Sequence, residues 1–99
     1  MTRVPLDLNS PEFQSDLFAL QKEEQFELLA ALRRISKMSW EEVYRDRGLR
    51  WEACISRKGP RGERLYTFRV TRKFRVLVYR DGDRLRLLSL HPDHDSAYR

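Results

Sequence analysis

Apolar and polar residues alternate along much of the C-terminal half of the chain, which is the pattern of β-strands. Four runs show it and are predicted strands: residues 51–56, 66–70, 74–80 and 84–90. Gly59, Pro60 and Gly62 favour a turn between the first two strands, and the Asp81-Gly82 pair favours a hairpin turn before the last one. Because tight turns join antiparallel neighbours, the pattern predicts an antiparallel sheet.

The N-terminal segment predicts an edge strand followed by a helix. Residues 4–8 alternate between apolar and other side chains, and Pro5 lacks a backbone donor, which favours the edge of a sheet. A helix is expected over residues 11–21, because Asn9 or Ser10 can cap it and a proline suits its first position. Its apolar residues fall on one face, formed by Phe13, Leu17 and Leu20.

Two further helices are predicted before the sheet. The second helix has an apolar stripe that is expected to face the sheet, formed by Phe26, Leu29 and Leu32 and widened by Leu28 and Ile35. Ser39 and Glu42 have the spacing of a capping box, which predicts a third helix over residues 40–47 with inward-facing Trp40, Val43 and Tyr44. The order of elements indicates an α+β fold in which an edge strand and a helical hairpin pack on the sheet, in a single domain over residues 1–99.

The charge of the chain is unevenly distributed and rich in arginine. The net charge is +5, but residues 1–44 carry 5 basic and 8 acidic residues, and residues 45–99 carry 15 and 7. Between Arg57 and Arg75 there are 8 basic residues and 1 acidic residue. Arginine matches phosphate geometry well, so these cations are candidates for RNA binding: Arg57, Lys58, Arg61, Arg64, Arg72 and Lys73. The alternative is the solvated face of a one-sided sheet.

Composition limits the other classes of site. The lone Cys54 cannot form an internal disulfide and fits an ordinary strand position. No apolar run is long enough to span a bilayer and no signal pattern is present, so we expect a cytoplasmic protein without a membrane partner. The His91-Pro92-Asp93-His94 motif with Asp95 is a weak metal signal, because a third and a fourth ligand are missing. We therefore expect no metal and no cofactor.

Three segments carry a resemblance to a known family: VPLDLNSPEFQSDLFAL, FRVTRKFRVLVYRDGDRLRLLSL and HPDHDSAYR. Together they resemble the bacterial RelE/ParE toxin superfamily over nearly the whole chain. The resemblance implies an edge strand and a helical hairpin on a curved antiparallel sheet. Arg69 and Arg75 match strand arginines of the family and Tyr98 matches its terminal tyrosine, whereas Leu65 and Thr67 replace a lysine pair of some ribonuclease members.

The C-terminal tract contains the groups that RNA cleavage without a metal ion requires, namely a base, an acid and cations for the phosphate. His91 or His94 titrates near neutral pH and can act as base or acid, and each can equally be a turn residue. Arg69 and Arg75 can hold the phosphate. Tyr98 can stack on a base or assist proton transfer.

The resemblance and these residues lead to one main functional hypothesis. The chain is expected to be the toxin of a type II toxin–antitoxin system, a metal-independent and ribosome-dependent mRNA endoribonuclease that inhibits translation. Its expected partners are mRNA, the ribosome and a cognate antitoxin, the last in a toxin–antitoxin hetero-oligomer. A gyrase inhibitor of the ParE type, or a catalytically silent relative that binds nucleic acid or a partner, remains the alternative, because the superfamily includes all three.

Overall fold

The computed structural model describes residues 2–93, so His94 and Tyr98 lie outside the described residues. Three helices precede most of a five-stranded sheet, as the sequence predicts. The elements are β1 (Leu6–Asp7), α1 (Pro11–Ala19), α2 (Lys22–Ile35), α3 (Trp40–Arg45), β2 (Glu52–Lys58), β3 (Arg64–Arg69), β4 (Arg75–Asp81) and β5 (Arg84–His91). The predicted α+β class is confirmed, with the edge strand and the helical hairpin in place.

The strands form one mixed sheet in the order β1-β5-β4-β3-β2. The four C-terminal strands pair with one another in antiparallel fashion, whereas β1 lies at one edge and runs parallel to β5. This first strand has two residues and is shorter than predicted. Val4 lies before it and is buried, and its amide donates to the Met38 carbonyl oxygen at 2.9 Å, which ties the N-terminus to the helical layer.

Side-chain caps fix the starts of two helices. The Ser10 hydroxyl accepts a hydrogen bond from the Phe13 amide at the start of α1. At the start of α3, Ser39 and Glu42 form the predicted capping box, with amide-to-side-chain distances of 3.2 and 3.3 Å. Each cap satisfies backbone donors that the first helical turn leaves unpaired. The third helix ends at Arg45, two residues earlier than predicted.

The helices cover one face of the sheet and enclose the main core. Its buried residues include Phe13 of α1, Val43 of α3, Phe68 of β3, and Val76 and Val78 of β4. The inward direction predicted for α3 is correct for Val43. It is wrong for Tyr44, whose side chain is exposed, and Trp40 is half-buried with its indole nitrogen donating to the Asp83 carbonyl oxygen at 2.7 Å.

The predicted inner stripe of α2 is partly wrong. Leu28, Leu32 and Ile35 face the core, whereas Phe26 is 60% exposed and Leu29 is 53% exposed. Two apolar stripes overlap on this helix, and only one of them can face the sheet. The sequence pattern could not select between them because Leu32 continues either one.

A matched pair of substitutions tests this orientation. Leu28→Ala should lower the free energy of unfolding by about 2–5 kcal/mol, because it opens a cavity in a fully buried site. Leu29→Ala should change it by less than about 0.5 kcal/mol, because the side chain is half exposed. Urea unfolding of both variants measures the difference, and equal losses would contradict the assigned face.

The face of the sheet opposite the helices has a small apolar cluster of its own, formed by Cys54, Leu65 and Leu77 with Tyr79 and Leu88 beside them. Two irregularities shape this face. The β4–β5 register shifts at Leu77 and Val78, so that Leu88 is the extra residue, and the β2–β3 register shifts between Cys54 and Lys58. In β2 Cys54 is buried and Ile55 is 90% exposed, so burial does not follow the apolar alternation of this strand.

Candidate functional site

Arg75 and His91 lie opposite each other on neighbouring strands. They are register partners in the β4–β5 pair, and Leu77 and Ser89 are partners two residues further along. Phe74 and Val76, the chain neighbours of Arg75, belong to the helix-facing core, so the Arg75 side chain projects to the other face. Side chains of directly opposed residues share a face, so the sheet brings Arg75, Ser89 and His91 together.

The side chain of Arg75 is buried rather than solvated. The residue is only 6% exposed, and its Nη1 atom has no hydrogen-bond partner among residues 2–93. A buried cation with an unused donor is costly, because the burial removes water without replacing its hydrogen bonds. The unused donor makes Arg75 a candidate anion-binding group.

His91 is held by a serine that the sequence analysis did not identify. The Ser89 hydroxyl lies 2.7 Å from Nε2 of His91. Burial lowers the pKa of His91, the charge of Arg57 lowers it further, and Asp16 and Glu12 act in the opposite direction. The neutral imidazole is therefore favoured at neutral pH, as a general base requires. The i, i+2 spacing of Ser89 and His91 on one strand was the available sequence signal.

A cavity of 280 Å³ lies beside Ser89, the residue that contacts His91, and we call it the Glu12 cavity. Ser89 is part of its wall, so the cavity and the histidine share a residue. Its other lining residues include one carboxylate, two cations and three leucines: Glu12, Arg57, Lys58, Leu65, Leu77 and Leu88. Glu12 comes from the first turn of α1 and was not identified from the sequence. The cavity thus combines an apolar floor with charged groups of both signs.

Arg69 occupies a different environment from Arg75, although the two are register partners. Nε of Arg69 donates to the Gly48 carbonyl oxygen at 3.4 Å. The residue also lines a second cavity, of 330 Å³, together with Glu27 and Arg34 of α2. The Arg69 side chain is therefore held by the segment that precedes β2, at a cavity other than the Glu12 cavity.

The predicted RNA-binding cations fall into two groups at opposite ends of β3. Arg57, Lys58, Arg61 and Arg64 lie at or beside the β2–β3 turn, whereas Arg72 and Lys73 lie between β3 and β4. A six-residue strand separates them by about 20 Å. The aromatic residues of this stretch do not lie between the cations as an open stacking surface, because Phe68 and Phe74 are buried and Tyr66 stacks on Trp51 at 4.9 Å.

The described residues contain neither a group of candidate metal ligands nor a helix that could span a membrane. Within residues 2–93 there is no cluster of three or more His, Cys, Asp or Glu side chains that could bind a metal ion. In the same range, every helix is too short or too polar to cross a bilayer. His94, the second imidazole of the H-x-x-H motif, lies outside these residues.

Comparison with family models and with curated proteins finds no match. Among solved structures, one similar chain is a copper-bound mutant toxin from Helicobacter pylori. It is 19% identical to this chain, the alignment covers 97% of this chain and 98% of that one, and the TM-score is 0.49. No residue role and no activity is transferred from that protein.

Proposed function

We propose that this protein is a toxin that cleaves ribosome-bound mRNA without a metal ion and is silenced by a cognate antitoxin in the cytoplasm. The observation that carries the proposal is the buried Arg75, whose Nη1 has no partner within residues 2–93 and whose register partner is His91. A phosphodiester supplies the missing acceptor, and the imidazole next to it supplies the base. The superfamily that the sequence resembles, RelE/ParE, includes enzymes with this reaction.

In the proposed reaction Arg75 binds the non-bridging oxygens of the scissile phosphate. Nε2 of neutral His91 accepts the proton of the adjacent 2′-hydroxyl. The Ser89 hydroxyl contacts this nitrogen in the free protein, and the 2′-hydroxyl displaces it. The 2′-oxygen attacks phosphorus, the bond to the 5′-oxygen breaks, and that oxygen receives a proton. The upstream product ends in a 2′,3′-cyclic phosphate. We propose His94 or Tyr98 as the proton donor, with stacking on a base as the other role of Tyr98.

We propose that the cations of the β2–β3 turn bind RNA in the active toxin and bind the antitoxin in the inhibited one. Lys58, Arg61 and Arg64 are exposed and Arg57 is half-buried, and these residues lie at the rim of the Glu12 cavity or beside it. Such a surface attracts the phosphates of mRNA or ribosomal RNA. It is neutralised by an acidic segment that is partly disordered alone, which forms the proposed toxin–antitoxin hetero-oligomer. Arg72 and Lys73 are proposed to contact RNA separately, and Arg69 to support the end of β3 that adjoins Arg75.

Induction of the protein in a bacterium tests this function against its rival. Translation, followed by incorporation of labelled amino acids, should fall within minutes, while the supercoiling of a reporter plasmid stays unchanged. A His91→Gln variant should leave translation near its uninduced rate, because it removes the proposed base. Relaxed plasmid with continuing translation would instead identify a gyrase inhibitor and end the ribonuclease proposal.

A further inference from the structure

We propose that the Glu12 cavity binds a guanine base of the RNA, in the nucleotide whose 3′-phosphate lies at the Arg75–His91 pair. This inference rests on the proposed ribonuclease function and adds the base that the site selects. It is carried by the chemistry of the cavity wall, by the size of the cavity and by its position relative to Arg75.

The cavity has the size and the floor that a single base requires. Its volume of 280 Å³ is close to the lower limit of roughly 300 Å³ for small-molecule pockets, which leaves room for a base but not for an extended cofactor. Of its three leucines, Leu65 and Leu77 are buried, and the half-buried Leu88 offers apolar surface on which the face of a base can pack.

The polar groups of the wall match the edge of guanine. Within residues 2–93, the Glu12 carboxylate makes no hydrogen bond and no ion pair, whereas Asp16, one turn later in α1, accepts a bond from the Leu90 amide at 2.9 Å. Guanine presents two adjacent donors, N1–H and N2–H, which a carboxylate can accept together. Its O6 acceptor then lies toward the cations Arg57 and Lys58, which line the same cavity.

The other bases fit this wall less well. Cytosine, adenine and uracil each present one donor with an acceptor beside it on the same edge, so one oxygen of Glu12 would face an acceptor. Glu12 is exposed, so an acceptor of the base would replace a water that donates to its carboxylate, and the loss of that donor costs binding free energy. Sites built for specific hydrogen bonds reject analogues that lack a partner group more strongly than apolar pockets do.

The spacing between the cavity wall and the Arg75–His91 pair suits one nucleotide. Ser89 lines the cavity and is opposite Leu77, and His91 is opposite Arg75 two residues further along the strands. Two residues of an antiparallel strand span about 7 Å, which one nucleotide can bridge from its base to its phosphate. A base in the Glu12 cavity therefore places its own phosphate at the Arg75–His91 pair.

Binding of nucleoside 3′-monophosphates to the whole chain tests the inference without requiring cleavage. Guanosine 3′-monophosphate should bind about tenfold more tightly than the adenosine compound in calorimetric titrations. The inosine compound, which lacks the 2-amino group, should bind with intermediate affinity. Glu12→Gln should reduce the preference for guanine to less than about twofold. Its amide places a donor against one of the two guanine donors, and it offers adenine a matching acceptor and donor.

Two further variants complete the test. Glu23→Gln changes a matched exposed glutamate in the first turn of α2 and should leave the guanine preference intact. Glu12→Asp keeps the charge but withdraws the carboxylate, so its preference should be intermediate. Equal affinity for all bases, or an undiminished preference in Glu12→Gln, would overturn the base assignment. Guanine-selective binding without any RNA cleavage would keep this inference and end the ribonuclease proposal. Cleavage without base preference would keep the ribonuclease proposal and end this inference.

Discussion

Arg75→Met should strongly slow RNA cleavage while leaving the protein at least as stable as the wild type. Methionine replaces the aliphatic part of the arginine side chain but has no guanidinium, so it removes the group that holds the phosphate. Loss of one such preorganised donor typically costs about 10²- to 10³-fold in rate. The same change removes a buried guanidinium whose Nη1 has no partner within residues 2–93, which should raise the free energy of unfolding by about 1 kcal/mol or more.

The combination of these two outcomes separates a functional arginine from a structural one. Single-turnover cleavage measures the first outcome, and urea unfolding measures the second. Arg84→Met is a suitable control, because Arg84 is an exposed arginine at the start of β5 and its loss should affect neither quantity strongly. A stable and fully active Arg75→Met protein would remove Arg75 from the site, and a variant that fails to fold would identify it as a structural residue.

His91→Gln should reduce cleavage by about 10²- to 10⁴-fold while the affinity for RNA changes little. Glutamine keeps a polar side chain next to Ser89 but cannot take a proton at neutral pH. Binding and rate are measured separately, by titration with an RNA that has a 2′-methoxy group at the cleavage position and by single-turnover kinetics. An equal loss of binding and rate would assign His91 to RNA binding instead of proton transfer.

The pH dependence of the wild-type rate follows from the environment of His91. Because burial and Arg57 lower its pKa, the base is neutral above the ordinary value of 6.5, and activity is lost only as the pH falls through the lowered pKa. The acid limb should therefore have its midpoint below pH 6.5. Arg57→Gln removes a charge that lowers this pKa, so its midpoint should move to higher pH.

The order and type of the elements could be predicted from the sequence because local signals agree with the fold. The capping box at Ser39 and Glu42 and the hairpin turn at Asp81-Gly82 are local interactions, and the structure contains both. The orientation of α2 was not predictable in the same way. Phe26 and Leu29 fit an inward stripe as well as Leu28 does, and only packing against the sheet decides between the two faces.

The site was predictable only in part, because its geometry depends on contacts between distant segments. Arg75 and His91 were identified as reactive residue types, but their pairing depends on the β4–β5 register. Glu12 reaches the site from α1, and no sequence pattern places that helix beside the end of β5. The basic run from Arg57 to Arg75 looks continuous in the sequence, yet it is divided between two turns at opposite ends of a strand.

The central claim is that RNA is cleaved without a metal ion, with Arg75 holding the phosphate and His91 taking the proton. Single-turnover cleavage of ribosome-bound mRNA, measured with a chelator present and with analysis of the new RNA ends, tests it most directly. We expect the wild type to cleave RNA in the presence of the chelator and to leave a 2′,3′-cyclic phosphate. His91→Gln should lose this cleavage. Cleavage that stops when the chelator is added, a product with a 3′-hydroxyl end, or no cleavage at all would contradict the account.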